Sequence, residues 1–358
     1  MDEHNDENGE NETDSDEIVI DGASNEARIF SDYYVIEFLG SGGYGTVYKA
    51  QHKIDECEYA IKRIEYPCKE SEQEKVLQEA RTLASLDHSG IVRYYYSWFD
   101  TLNADEHEEL NKLCYGIDSY ECSDSSEKIV DDIICSKYLF ISMELCEKET
   151  LKHWLENNCG SRSRNIIMNW FRQMTEALQY IHAKDYIHKD LKPSNIYFSL
   201  EGKIKMGDFG FKSCTVSTYE PNKLYMAPEL VILNYLFIVS FPYFILLKAN
   251  DEPYSSKVDI FSIGLILFEM LYPIKTAHEK EQVFKNVKNG VFPTYFEENH
   301  PRDCEFIRSL LSTFAQDRPT ASQILHDNVF EEISFDDYVT CEEGLSFDSL
   351  IQRDKIEL

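Results

Sequence analysis

The spacing of apolar residues changes character once along this chain, near residue 147. Before that point the signal is β-like. Tyr33-Tyr-Val-Ile-Glu-Phe-Leu39, Thr46-Val-Tyr-Lys-Ala50 and a run ending Tyr59-Ala-Ile-Lys62 are rich in strand formers and predict a meander. One helix interrupts it: over residues 71–86, Val76, Leu77, Ala80, Leu83 and Ala84 recur at i, i+3/i+4 spacing. His88 to Phe99 predicts a turn and then a strand. Leu139-Phe-Ile-Ser-Met-Glu-Leu145 predicts another, with Phe140 and Ser142 on the face opposite Leu139 and Ile141. Between them, residues 100–137 are acidic and carry little periodicity, so a mobile inserted loop is expected. A short linker around Cys146–Lys148 marks a lobe boundary.

Beyond the linker the period is helical. Leu151, Trp154 and Leu155 predict a short amphipathic helix. Ile166, Ile167, Trp170, Phe171, Met174, Leu178 and Ile181 form a stripe that reads as core. Lys203-Ile-Lys-Met206 is a short strand, Tyr254 to Leu271 a mostly apolar helix, and residues 277–289 and 303–314 further helices. The expected architecture is therefore α+β. An N-lobe over 30–146 is β-rich with one helix, and a C-lobe over 147–330 is mostly helical. Residues 1–29 are expected to be an acidic, disordered tail and residues 331–358 an acidic C-terminal tail.

Residues 230–248 form a long apolar run broken by Asn234 and Pro242. Its length is about that of a bilayer span. A span there would put the two halves of the polar site on opposite sides of a membrane. A buried extra segment and a retained intron in the gene model are the other readings. None of the three makes the run part of the chemistry.

Composition narrows the partners. The chain has 358 residues, 43% of them hydrophobic, which suits a globular fold with a large core. A net charge of -30 argues against direct nucleic-acid or anionic-membrane binding. The ten cysteines are scattered without metal-ligand spacing, and the N-terminus is acidic, unlike a signal peptide. A reducing, cytoplasmic setting without a membrane is expected.

The candidate chemistry centres on Tyr186-Ile-His-Lys-Asp-Leu-Lys-Pro-Ser-Asn-Ile196. Asp190 can accept the proton of an attacking hydroxyl, Lys192 can hold moving phosphoryl charge, and Asn195 can bind magnesium. The same residue types also suit a plain surface turn. Gly207-Asp-Phe-Gly210 follows, and Asp208 in it is a second candidate magnesium ligand. Upstream, Gly40-Ser-Gly-Gly-Tyr-Gly-Thr-Val47 puts glycines at a hairpin turn, where backbone amides can approach phosphate oxygens. A dinucleotide-binding turn would need a helix straight after the glycines, and Val47 and Tyr48 point to a strand. Lys62 needs a carboxylate partner if buried, and Glu79 on the following helix is the candidate. Glu229 and Arg318 form a second candidate buried pair. Asp259, at the start of its helix, can cap it or receive backbone amides of the central loop.

Taken in order, the glycine loop, Lys62, Glu79, His188-x-Asp190, Asn195, Asp208-Phe-Gly, Ala227-Pro-Glu, Asp259 and Arg318 resemble the eukaryotic protein kinase family over roughly residues 30–330. Tyr59-Ala-Ile-Lys-Arg-Ile64, Gly90-Ile-Val-Arg-Tyr94, Leu139 to Cys146, Leu191 to Ile196, Lys223-Leu-Tyr-Met226 and Lys257 to Pro273 are similar to the kinases of the alpha subunit of translation initiation factor 2. Within these, Lys223 to Met226, Lys257 to Pro273 and the insert resemble the endoplasmic-reticulum stress branch. The resemblance implies a bilobal protein-kinase fold binding ATP and Mg²⁺. Asp190 and Lys192 are the implied catalytic residues, with Asn195 and Asp208 on the metal. The implied nucleotide site comprises Gly40, Ser41, Gly42, Gly43, Tyr44, Gly45, Val47, Ala60, Lys62, Glu79, Met143, Glu144 and Cys146. It further implies the initiation-factor alpha subunit as a serine substrate, inhibition of translation initiation under stress, a homodimer through the N-lobe, and Ser217 or Thr218 as activating phosphosites. Thr276 falls where that family docks its substrate, although a plain helix N-cap also accounts for it.

Three features depart from the family pattern. Lys189 replaces the usual arginine and loses its bidentate fork. Pro221-Asn222 replaces the usual Gly-Thr, and the 230–248 run abuts the activation segment. They leave open a rival reading, a catalytically weak scaffold that binds ATP and pairs with an active relative, and a third, an active kinase with another substrate.

Overall fold

The strand formers of the N-terminal half assemble into five antiparallel strands. These are β1 (Tyr33–Gly42), β2 (Gly45–His52), β3 (Glu58–Glu65), β4 (Tyr94–Thr101) and β5 (Lys137–Glu144), in the order β1-β2-β3-β5-β4. The computed structural model describes residues 26–42, 45–115, 137–160, 162–209, 224–239 and 254–330. Three helices accompany the sheet: α1 (Arg28–Ser31), α2 (Glu70–Ser85) and α3 (Ala104–Tyr115).

Alternation along β3 and β5 divides the sheet into two apolar faces. Ile64, Leu139 and Ile141 pack with Ala80 of α2. Tyr48, Ile61, Trp98 and Phe140 pack on the other face with Leu110 of α3 and with Ala27 and Ile29. Arg63, on that second face, lies over the rings of Tyr48 and Tyr138 and donates to Asn111 Oδ1 at 3.3 Å.

Two sequence expectations are corrected here. The stretch read as a loop over 100–137 contains α3, and β4 runs on to Thr101. Asn103 Oδ1 accepts the Glu106 amide at 3.0 Å, and Glu106 Oε2 accepts the Asn103 amide at 2.9 Å, a reciprocal cap that starts the helix. The tail boundary at residue 29 also moves. Ala27 and Ile29 are buried, and the Ala27 amide donates to Glu106 Oε1 at 2.7 Å.

The C-lobe comprises α4 (Leu151–Asn157), α5 (Arg164–His182), the hairpin β6 (Ile196–Phe198) and β7 (Ile204–Met206), then α6 (Pro228–Val239), α7 (Lys257–Leu271), α8 (Ala277–Val287), α9 (Thr294–Asn299), α10 (Pro301–Leu310) and α11 (Ala321–Leu325). α7 is buried on every side, as an almost wholly apolar helix must be. It runs through a core shared with α5 that also takes in Leu83 and Leu86 from the end of α2. The Glu229–Arg318 pairing forms as a two-pronged ion pair, Nη1 to Oε1 at 2.6 Å and Nη2 to Oε2 at 2.9 Å. Thr276 caps α8, its hydroxyl accepting the Glu279 amide at 3.2 Å. Of the apolar run, residues up to Val239 continue α6, and the remainder lies outside the described residues. Among the described residues no helix is long and apolar enough to cross a membrane.

Because Leu110 is fully buried between α3 and the sheet, Leu110→Ala should destabilise the protein by about 2–5 kcal/mol. Glu109→Ala, on the exposed face of the same helix, should change it by less than about 0.5 kcal/mol. Urea unfolding of both variants checks this. Equal midpoints would mean that α3 does not dock.

Candidate active site

The site lies where the end of the sheet meets the β6–β7 hairpin. The loop entering β6 is fixed by one buried carboxylate. Asp259, at the start of α7, accepts the His188 amide on Oδ2 and the Lys189 amide on Oδ1, each at 2.9 Å. His182 Nε2, at the end of α5, donates to the same carboxylate at 2.9 Å. Lys189 adopts a left-handed backbone (φ 67°), so the chain turns sharply there and the amides converge. Its ammonium lies 5.0 Å from the ring centroid of Tyr254. His188 Nε2 donates to the Gly207 carbonyl at 3.0 Å, and its ring packs against Phe209. This hydrogen bond joins the loop to the Gly207-Asp208 turn.

Beyond this anchor the polar residues gather. Asp190 Oδ2 accepts from Lys192 Nζ at 2.9 Å and from Asn195 Nδ2 at 3.3 Å. Asn195 Nδ2 also donates to the Asp190 carbonyl at 2.9 Å, so the amide group closes the loop on itself. The Gly207 amide donates to the Asn195 carbonyl at 3.0 Å, which sets Asp208 beside this group.

Lys62 reaches Asp208 from the sheet, with its Nζ 3.3 Å from Oδ1. Tyr197 donates its hydroxyl to Oδ2 at 3.1 Å. Burial opposes ionisation of Asp208, but the Lys62 charge and hydrogen bond, with the Tyr197 hydrogen bond and nearby His188, outweigh it. The carboxyl is held below its ordinary value. Glu79 lies on α2, but its side chain falls outside the described residues, as do Gly43, Tyr44, Ser217, Thr218 and Asn222.

The glycine-rich turn closes β1 on β2, with Gly40 opposite Val47, Ser41 opposite Thr46 and Gly42 opposite Gly45. Gly45 is required: its φ is 118°, and a Cβ there would meet the Arg63 carbonyl oxygen at 2.1 Å. Val47 lies across from Lys62, and Ala60 across from Met143. Glu144 begins the linker between lobes. Its carboxylate accepts the Arg93 amide at 3.1 Å and pairs with Lys205 Nζ at 2.7 Å. Cys146 follows, its thiol pushed up to about 12 by burial and then by the Glu144 charge. Lys62 on this sheet reaches Asp208, so the sheet and the group formed by Asp190, Asn195 and Asp208 meet at that ion pair.

Comparison with known families gives a match to the Protein kinase domain over residues 33–330. The chain belongs to the protein kinase family. It is an ATP-dependent protein kinase domain, with the two lobes in the expected order. It is similar to the interferon-induced, double-stranded RNA-activated protein kinase of Rattus norvegicus, 34% identical across 87% of this chain and 54% of that one. It is also similar to eukaryotic translation initiation factor 2-alpha kinase 3 of the same organism, 24% identical across 86% of this chain and 45% of that one. The eIF-2-alpha kinase GCN2 of Arabidopsis thaliana is 29% identical across 84% of this chain and 25% of its own length. The chain thus spans about half the length, or less, of these curated relatives.

Tyr197, His182 and Lys205 are partners of the candidate residues that sequence patterning missed. Patterning treats Tyr197 as an apolar anchor between Ile196 and Phe198, and nothing local marks its hydroxyl. Asp259 supports the loop through three donors. Asp259→Ala should therefore lower unfolding stability by about 1–3 kcal/mol for each buried donor left unpaired. Thermal unfolding with and without nucleotide checks this. A variant as stable as the native chain would mean that the loop holds its shape without Asp259.

Proposed function

We propose that this chain is a serine/threonine kinase of the alpha subunit of translation initiation factor 2, and that it restrains translation initiation under stress. The observation carrying the chemistry is the cluster in which Lys192 and Asn195 both donate to Asp190 Oδ2, beside Asp208. In this reading Asp190 orients the substrate serine and takes its proton. Lys192 offsets charge on the transferred phosphoryl group. Lys62, for which the resemblance implies Glu79 as partner, orients the ATP phosphates under the Gly40–Gly45 turn. Ala60, Met143 and the Glu144–Cys146 linker border adenine.

The residues fit magnesium. Asp208 and Asn195 offer hard oxygen ligands. One carboxylate and one amide, completed by substrate phosphates, is the ligand set magnesium favours. When bound, the ion neutralises phosphate charge. The substrate assignment is supported by the relatives' names and by the motifs shared with that family. The reading includes a cytoplasmic location and a homodimer through the N-lobe, both carried over from the resemblance.

The test is incubation of the chain with radiolabelled ATP, Mg²⁺ and the initiation-factor alpha subunit, beside Asp190→Ala. Label on the subunit that is lost in the variant is the expected result. Autophosphorylation without subunit label would keep the kinase and overturn the substrate. No label from folded protein that binds ATP would favour the scaffold reading.

A further inference from the structure

Asp208 is gripped from both lobes, and the second grip comes from a side chain with no role in the reading above. Lys62 Nζ engages Oδ1 and Tyr197 Oη engages Oδ2, at 3.3 and 3.1 Å. Tyr197 sits on β6 opposite Lys205 of β7, the strand that runs straight into Gly207-Asp208. The close approach is built into the backbone. A Cβ on Gly207 would lie 2.8 Å from Tyr197 Cε2 and 3.1 Å from Val92 Cγ2, so a larger residue there would displace the ring. Asp208 itself has a left-handed backbone (φ 54°), which turns its carboxylate out of the strand direction and leaves its aim to these two donors.

We infer that Tyr197 is a positioning residue for the divalent cation, its hydroxyl fixing the orientation of the Asp208 carboxylate. A carboxylate offers about four lone-pair sites. One donor on each oxygen therefore fixes the plane of the group and still leaves sites for a cation. Partners of this kind act through the ligand they orient, and their removal costs about 10–100-fold in metal affinity. Tyr197 touches Asp208 and acts through it, so its hydroxyl should matter to nucleotide binding only when the cation is present. The inference rests on the assignment of Asp208 as a magnesium ligand.

The experiment measures binding of methylanthraniloyl-ADP by fluorescence, as a function of magnesium and in EDTA, for the native chain, Tyr197→Phe and Tyr197→Leu. Both variants should need about tenfold more magnesium for half-maximal binding, with affinity in EDTA unchanged. The second variant serves if either one fails to give a native melting curve. An unchanged magnesium curve would overturn the inference while leaving the cation assignment intact. So would an equal loss of affinity with and without magnesium, which would mark a packing role for the ring. A native chain whose nucleotide binding ignores magnesium would remove the cation assignment, and the inference with it.

Discussion

The Asp259 carboxylate, buried at the start of α7, is the constraint on which the polar loop depends. It gathers two consecutive backbone amides and the His182 ring, and so holds a left-handed turn at Lys189 that the chain would otherwise avoid. A turn of that shape delivers Asp190 and Asn195 to the same side. The carboxylate can do this because α7 is packed on all sides and cannot shift. Core packing thereby becomes positional accuracy in the cleft.

A second layer joins the lobes. The His188 ring, the Asn195 carbonyl and the Tyr197 hydroxyl all tie the loop to the Gly207-Asp208 turn, and Lys62 meets Asp208 from the sheet. On the linker side, Glu144 is clamped by Lys205 from β7 and by the Arg93 amide. Both ends of the cleft are therefore referenced to one short hairpin, β6–β7. Relative motion of the lobes must work against these ion pairs.

Much of this was legible in the sequence. Period-2 and period-3.6 patterns locate the strands and helices because one face of each is buried, and burial demands that spacing. The Glu229–Arg318 pair was legible because a buried charge requires a partner, and only a distant one was offered. α3 was not, because its apolar stripe is reduced to Leu110, Leu113 and Cys114 among acids, and its start depends on a reciprocal cap between Asn103 and Glu106. Ile29 was lost in an acidic neighbourhood for a similar reason. Tyr197 escaped because its partner is chosen by how β6 pairs with β7, and a local pattern of alternating apolar residues carries no information about what a phenol will reach across that pairing.

The central claim is that Asp190 acts on the reacting hydroxyl, and that the cleft around it is built independently of that act. Steady-state ATP turnover of Asp190→Asn against the native chain, at saturating magnesium, tests it most directly. The account predicts a fall in kcat of about 10²–10⁴, with the KM for ATP nearly unchanged. A variant that keeps its kcat and loses only ATP affinity would contradict it, since Asp190 would then be part of the binding cleft and not of the chemistry.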